Sequence, residues 1–182
     1  KLAEMMVGRS VLLRVDKKNA NPGKVVFSVN NISVSDNLDV KRVKGVSFEL
    51  REGEILGLAG VTGNGQTELL EALSGIRNID EGKILLYDNV VSSPSVVGNP
   101  RELRRQGLAH VPEDRQRMGL INDFQASENL IFGYHHKEPY SKNSIMMSKN
   151  ILDHSKNLMK EYDVRPQSPS LKTSNFSGGN QQ

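Results

Sequence analysis

Residues 60–73, GVTGNGQTELLEAL, limit the folds open to this chain more than any other stretch. Gly60, Gly63 and Gly65 fall within six positions and run into a helical pattern. Leu69, Ala72, Leu73 and Ile76 recur at i, i+3, i+4 and i+7, one face of a helix. Ahead of the glycines, EILGLAG (54–60) is a short apolar run that reads as a buried strand. A strand, a glycine loop and a helix in that order set free backbone N–H groups at a helix N-terminus, where donors and dipole favour an anion. The competing reading is a β-hairpin, because Asn64-Gly65 is a strong type I′ turn pair. The helical period after Gln66 argues against it. An ordinary strand–helix connection with surplus glycines is the other plain alternative.

The phosphate-binding pattern is G-x-x-x-x-G-K-[ST]. Gly60, Gly65 and Thr67 occupy its places, and Gln66 stands where the lysine belongs. A carboxamide donates two N–H bonds but carries no charge, and charge-assisted bonds are about twice as strong as neutral ones. The exchange should weaken phosphate binding by roughly 1–3 kcal/mol. The backbone cradle and the Thr67 hydroxyl, a Mg²⁺ ligand in this motif, remain. Binding can therefore persist while transfer of the phosphoryl group, which needs charge near it, suffers more.

The rest of the chain divides by pattern. KVVFSVNNISVS alternates through Val25, Phe27 and Val29, then shifts phase to Ile32 and Val34, as a bulge produces. GVSFEL alternates through Val46, Phe48 and Leu50, and residues 51–54 signal a turn. These stretches predict an antiparallel sheet in the first third, after a polar Asn-Pro-Gly linker at 16–24. KILLYD (83–88) and LAHVP (108–112) read as strands, with Asp88 in the turn of the first. NPRELRRQG (99–107) reads as a short helix with Asn99 as N-cap, Pro100 in the first turn and Gly107 closing it. SENLIF and SKNILDHSKNLMKEYDV are helical in pattern. In the second, Ile151/Leu158 and Leu152/Met159 repeat at seven, and Tyr162 extends the stripe.

Composition excludes several classes. The net charge is +3, with 24 basic and 21 acidic residues, too balanced to argue for a nucleic-acid binder. There is no cysteine, so disulfides and thiolate metal sites are excluded, which suits a reducing compartment. No apolar run approaches the roughly 18–20 residues that cross a bilayer, so a membrane role must go through a partner. KLAEMMVGRS is not a signal peptide. The adjacent His135 and His136, with no third ligand nearby, read as surface residues rather than a metal pair. His110 and His154 read as structural.

Two further segments carry chemistry. HVPEDR (110–115) puts Glu113 just past an expected strand end, where α/β proteins build sites; taken without the glycine loop, it reads better as a solvated carboxylate in a charged turn. FSGGNQQ (176–182) sets a serine, two glycines and amide side chains in a row. Ser177, Gly178 and Gly179 offer a hydroxyl and unobstructed N–H groups to an anion. The bland alternative is a flexible polar tail.

Together GVTGNGQTE, VPEDR and SGGNQQ resemble the nucleotide-binding domain of ABC transporters, in that order, from about Lys24 to the end of the chain. GNGQTEL, VPEDR and SGGNQQ in combination resemble the second ATP-binding half of tandem importers for simple sugars and nucleosides. KEPYSKN (137–143) is most similar to the nucleoside-importing branch, and LAEMMVGR to the end of a preceding half. The fold implied is α/β: a P-loop ATPase core with an N-terminal antiparallel β subdomain and a helical subdomain, ending before Walker B. The expected layout is a tail and linker at 1–23, β plus P-loop core at 24–114, and helical subdomain at 115–182.

The resemblance also implies roles. Gly60, Val61, Thr62, Gly63, Asn64, Gly65, Gln66, Thr67 and Glu68 would form Walker A around ATP, with Thr67 on Mg²⁺. Glu113 would stand at the Q-loop position, where most of the family has a glutamine, also toward Mg²⁺ and the attacking water. Ser177, Gly178, Gly179, Asn180 and Gln181 would be the signature, capping ATP held by the other half of the same polypeptide in a head-to-tail pair. That makes an asymmetry: an intact signature serving the partner, and a Walker A degenerate at Gln66. Asn37 or Leu38 stands where the family usually has an aromatic on adenine. KILLYD mimics Walker B but precedes the Q-loop, so it reads as an ordinary strand. The implied partners are transmembrane permease subunits and, indirectly, an extracellular substrate-binding protein, with no nucleic acid. The implied place is the cytoplasmic face of a bacterial membrane. Met118, Leu120, Ile121 and Phe124 would either line the groove for the permease's coupling helix or form the core of the helical subdomain. By resemblance the full-length protein is an ATP hydrolase, and this stretch alone is expected to be inactive. A non-hydrolysing nucleotide- or permease-binding module is the rival reading.

Overall fold

Phe27, Val29, Ile32 and Val34 are all buried, although simple alternation would put the first pair and the second on opposite faces. A bulge reconciles them. In β1 (Val25–Ser35), Val29 pairs with Phe48 but Ile32 pairs with Val46, so the register slips at Asn30–Asn31. Asn31 takes a left-handed φ of 49° there, and its N–H donates to the Ser47 hydroxyl at 2.8 Å. The extra residue restores the apolar side chains to one face.

The computed structural model describes residues 19–61 and 63–182. The expected remnant of a preceding half at 1–8, the first part of the linker and Thr62 lie outside the described residues. The chain divides into two compact units, one running to Ala109 and the other spanning His110–Gln182.

In the first unit β1 is central. It pairs antiparallel with β2 (Lys41–Arg51) on one edge and β3 (Glu81–Leu86) on the other. β4 (Asn89–Ser92) continues from β3 through Tyr87 and Asp88, both at positive φ as a tight hairpin requires. The strand order is β2-β1-β3-β4. KILLYD is thus a hairpin strand with Asp88 in its turn. Helix α1 (Gln66–Leu73) lays Leu69, Ala72 and Leu73 on the sheet, among Val43, Ile79, Ile84 and Leu103. Ile76 falls beyond the helix end and is exposed. Helix α2 (Pro100–Arg105) starts as predicted: the Asn99 carboxamide oxygen accepts from the N–H groups of Arg101 and Glu102.

Two predicted strands do not form among the described residues. Residues 54–60 and 108–112 belong to no ladder, and Ile55 is 96% exposed. Their apolar runs are of the kind that parallel strands need. A strand, however, exists only through hydrogen bonds to a neighbour, and neither segment has one here.

The second unit contains α3 (Arg115–Met118), α4 (Ala126–Leu130), a small hairpin of β5 (Ser141–Lys142) and β6 (Ile145–Met146), α5 (Ser148–Glu161), and α6 (Gly178–Gln181). Helix α5 buries Ile151, Ser155 and Met159. The stripe ends there, since Tyr162 is largely exposed. Asn129 ties the unit together: its carboxamide bonds both the N–H and the carbonyl of Ile121, at 2.9 Å each, and the Thr173 hydroxyl at 2.8 Å.

Charges brace the sheet edge. The Arg42 guanidinium, 2.7 Å from Asp36, holds that carboxyl below its usual range, helped by the N–H groups of Val40 and Leu38. The Ser33 hydroxyl, then Lys41, does the same for Glu81. A depressed carboxyl favours the folded state above its unfolded pKa, and the contribution vanishes as pH falls through the folded value. An NMR titration should therefore find Asp36 and Glu81 below ordinary carboxylates, and Arg42→Ala should return Asp36 upward while leaving Glu81 in place.

Candidate functional site

The glycine loop is not a hairpin. Gly65 is the N-cap of α1, at φ 88° and ψ 9°, and the helix begins at Gln66. Gly63 is also left-handed, at φ 87°. The loop turns through a bond from the Asn64 N–H to the Val61 carbonyl at 3.0 Å. The N–H groups of Gly63, Gly65 and Gln66 find no acceptor among the described residues. Such a run of open donors before a helix is what an anion would satisfy.

The loop is held from behind. A Cβ on Gly65 would stand 2.8 Å from the Arg42 carbonyl oxygen of β2, so the backbone packs directly on the strand. Arg77 anchors the far end of α1. Its guanidinium bonds Glu71 at 2.7 Å, and also the Ser35 carbonyl and the Asn37 side chain at 3.1 Å each. Asn37 is thereby occupied, while Leu38 is 80% exposed at the β1–β2 turn.

Gln66 folds back across the loop. Its Cδ and Nε2 lie 3.1 Å from the point a Cβ would take on Gly60. The carboxamide thus rests on Gly60, and the loop contributes donors without a cation of its own at that position. Thr67 is exposed and Glu68 half-buried at the first turn.

In the second unit the segment VPEDR splits three ways. Glu113 is exposed. Asp114 caps α3, its carboxylate accepting from the N–H groups of Gln116 and Arg117 at 3.1 Å. Arg115 turns toward the last segment: its Nη2 stands 2.7 Å from where a Cβ on Gly178 would be. Sequence reasoning assigned Arg115 no role. The bare alternation of charges in EDR is its only local signal, and that pattern also fits a solvated turn.

Ser177, Gly178 and Gly179 are exposed, with Ser177 as the N-cap of α6. Their amide neighbours face inward. Asn180 donates to the Ser177 hydroxyl at 2.9 Å and accepts from the Arg165 N–H at 2.7 Å, and Gln181 donates to the Thr173 carbonyl at 3.0 Å. So the serine and glycines form the presented surface, and the amides fasten it. Beside them a hollow of about 440 Å³ is lined by Leu130, Leu158, Met159 and Phe176 together with polar Asn129 and Asp163. Met118 and Phe124 are exposed, Leu120 and Ile121 half-buried.

His135 and His136 are exposed, and His154 packs on the Tyr140 ring at 5.1 Å between centroids. Among the described residues no helix is long and apolar enough to cross a membrane.

An antiparallel sheet beside a glycine loop that caps a helix, followed by a helical unit, is the fold of an ATP-binding cassette. A nucleotide-free cassette from an ABC transporter matches it at a TM-score of 0.64, with 19% identity, over 87% of this chain and 61% of that one. The dimeric, post-hydrolysis cassette MJ0796 bound to ADP and phosphate matches at 0.64, with 18% identity, over 85% and 65%. The ABC transporter family model matches residues 43–182, and the chain belongs to that family. Among curated relatives, the nucleoside import ATP-binding protein NupA of Lactococcus lactis subsp. cremoris is 39% identical over all of this chain. The guanosine import ATP-binding protein NupO of Bacillus subtilis is 37% identical over the same span, and a ribose import ATP-binding protein RbsA of Bacillus cereus 33%. This chain spans about a third of their length, 35%, 35% and 34%.

The loop geometry separates its glycines. Gly65→Ala places a Cβ against the Arg42 carbonyl at a left-handed φ, whereas Gly63→Ala meets the same φ in open space. Urea denaturation should show a loss of roughly 1–3 kcal/mol for Gly63→Ala and a clearly larger one for Gly65→Ala.

Proposed function

We propose that this chain is the second nucleotide-binding half of a tandem ATP-binding subunit that powers import of a nucleoside or simple sugar. Its loop of Gly60, Val61, Thr62, Gly63, Asn64, Gly65, Gln66, Thr67 and Glu68 is a Walker A without its lysine. Thr67 and Glu113 are its Mg²⁺-facing residues. Its segment Ser177, Gly178, Gly179, Asn180 and Gln181 is a signature that completes the ATP site of the other half. The permease receives the stroke, and an extracellular binding protein delivers the cargo to it. The place of action is the cytoplasmic face of the membrane. The nucleoside assignment is supported by the names of NupA and NupO, and the sugar alternative by that of RbsA.

One observation carries the asymmetry: the carboxamide of Gln66 lies neutral on Gly60, while Ser177, Gly178 and Gly179 stand exposed with the Arg115 guanidinium against Gly178. Backbone N–H groups bind a phosphate of either site. The charge that stabilises a transferring phosphoryl group is absent at Gln66. The same neutral Gln66 favours a second reading, in which this half binds nucleotide or permease and hydrolyses nothing.

The test uses the full-length protein with its permease. ATP turnover should survive Thr67→Ala within a fewfold and fall roughly hundredfold with Ser177→Ala, the usual cost of one oxyanion donor. Equal losses from the two variants contradict the asymmetry. Restoring the cation with Gln66→Lys should tighten nucleotide binding at this half by roughly 1–3 kcal/mol, read by titration with a fluorescent ATP analogue. No tightening would mean that Gln66 is not at the phosphates.

A further inference from the structure

Arg115 is a cation without an anion. Its backbone is fixed: its carbonyl accepts from the N–H groups of Gly119 and Leu120 at 2.9 and 2.8 Å, and Asp114 caps the turn it begins. Its side chain is half-buried and runs to the last segment of the chain. There Nη2 stands 2.7 Å from the point a Cβ on Gly178 would occupy, so the guanidinium lies against bare backbone. Nε is buried and has no hydrogen-bond partner. No carboxylate forms an ion pair with Arg115 among the described residues, although Asp114 is its neighbour in sequence; that carboxylate is spent on the N–H groups of Gln116 and Arg117.

Burying a charged donor without an acceptor is unfavourable. An anion would satisfy such a group, and a guanidinium matches phosphate oxygens in a fork. The adjoining groups agree. Asn180 is committed within the unit and the Gln181 Nε2 donates to Thr173, while the buried Gln181 Oε1 has no hydrogen-bond partner; the N–H groups of Gly178 and Gly179 find no acceptor among the described residues.

We propose that Arg115 is an anion-contacting residue of the signature: its guanidinium, lying on Gly178, reaches the phosphoryl group that Ser177 and Gly179 meet on the partner half's nucleotide. This rests on the reading of the signature given above. In consequence the small size of residue 178 has a second use, since a side chain there would push the cation aside. The segment EDR also gains a division of labour, with Asp114 holding the turn and Arg115 supplying charge.

The experiment uses the full-length protein with its permease and reads kcat, KM for ATP and the thermal midpoint. Arg115→Gln removes the charge, shortens the side chain and leaves a carboxamide with two N–H donors. It should lower kcat/KM roughly 10- to 100-fold with the thermal midpoint unchanged, and Arg115→Lys should recover most of the loss. Wild-type kcat/KM in Arg115→Gln overturns the proposal. So does equal impairment of the Gln and Lys variants with a lowered midpoint, which marks a structural prop. Ser177→Ala separates the two levels. If it collapses turnover while Arg115→Gln does not, only the role of Arg115 fails; if it leaves turnover intact, the signature reading fails and takes this inference with it.

Discussion

The bulge at Asn30–Asn31 is the constraint on which the first unit depends. β1 is hydrogen-bonded along both edges, so it cannot rotate a side chain inward without breaking a ladder. The single extra residue changes the phase instead, and Phe27, Val29, Ile32 and Val34 all reach one core. That core is what α1 packs on, and α1 is what aims the glycine loop. Gly65 rests on the Arg42 carbonyl, and Arg77 ties the end of the helix back to the β1–β2 turn. The loop's open N–H groups are thus held by a chain of contacts that begins in the sheet.

Charge is distributed unevenly over the Gly60 loop and the Ser177 segment. The Gly60 loop presents backbone donors and a neutral carboxamide. The Ser177 segment presents donors with a guanidinium beneath Gly178. Backbone dipoles suffice to bind an anion, but stabilising charge that moves during phosphoryl transfer calls for a cation already in place.

Much of this was legible in the residues. The phase shift in VVFSVNNISVS, the turn after KILLYD and the Asn99-Pro100 helix start are local effects, decided by side-chain period, left-handed φ and capping. The glycine loop and its helix were legible too, because Gly65 and the spacing of Leu69, Ala72 and Leu73 act within two turns. Residues 54–60 and 108–112 were misread as strands. Their apolar runs specify burial, but pairing is a property of two segments, and no sequence window contains both.

Sequence by itself determined the family, the order of the three motifs and the missing lysine at Gln66, because each is a matter of residue type and spacing. Tertiary structure alone decided that the Gln66 carboxamide covers Gly60, that Asn180 and Gln181 fasten rather than present, and that Arg115 meets Gly178 across 63 positions of chain. Those contacts depend on where a folded backbone brings distant atoms within 3 Å or so, a distance that hydrogen-bond geometry sets and sequence separation does not record.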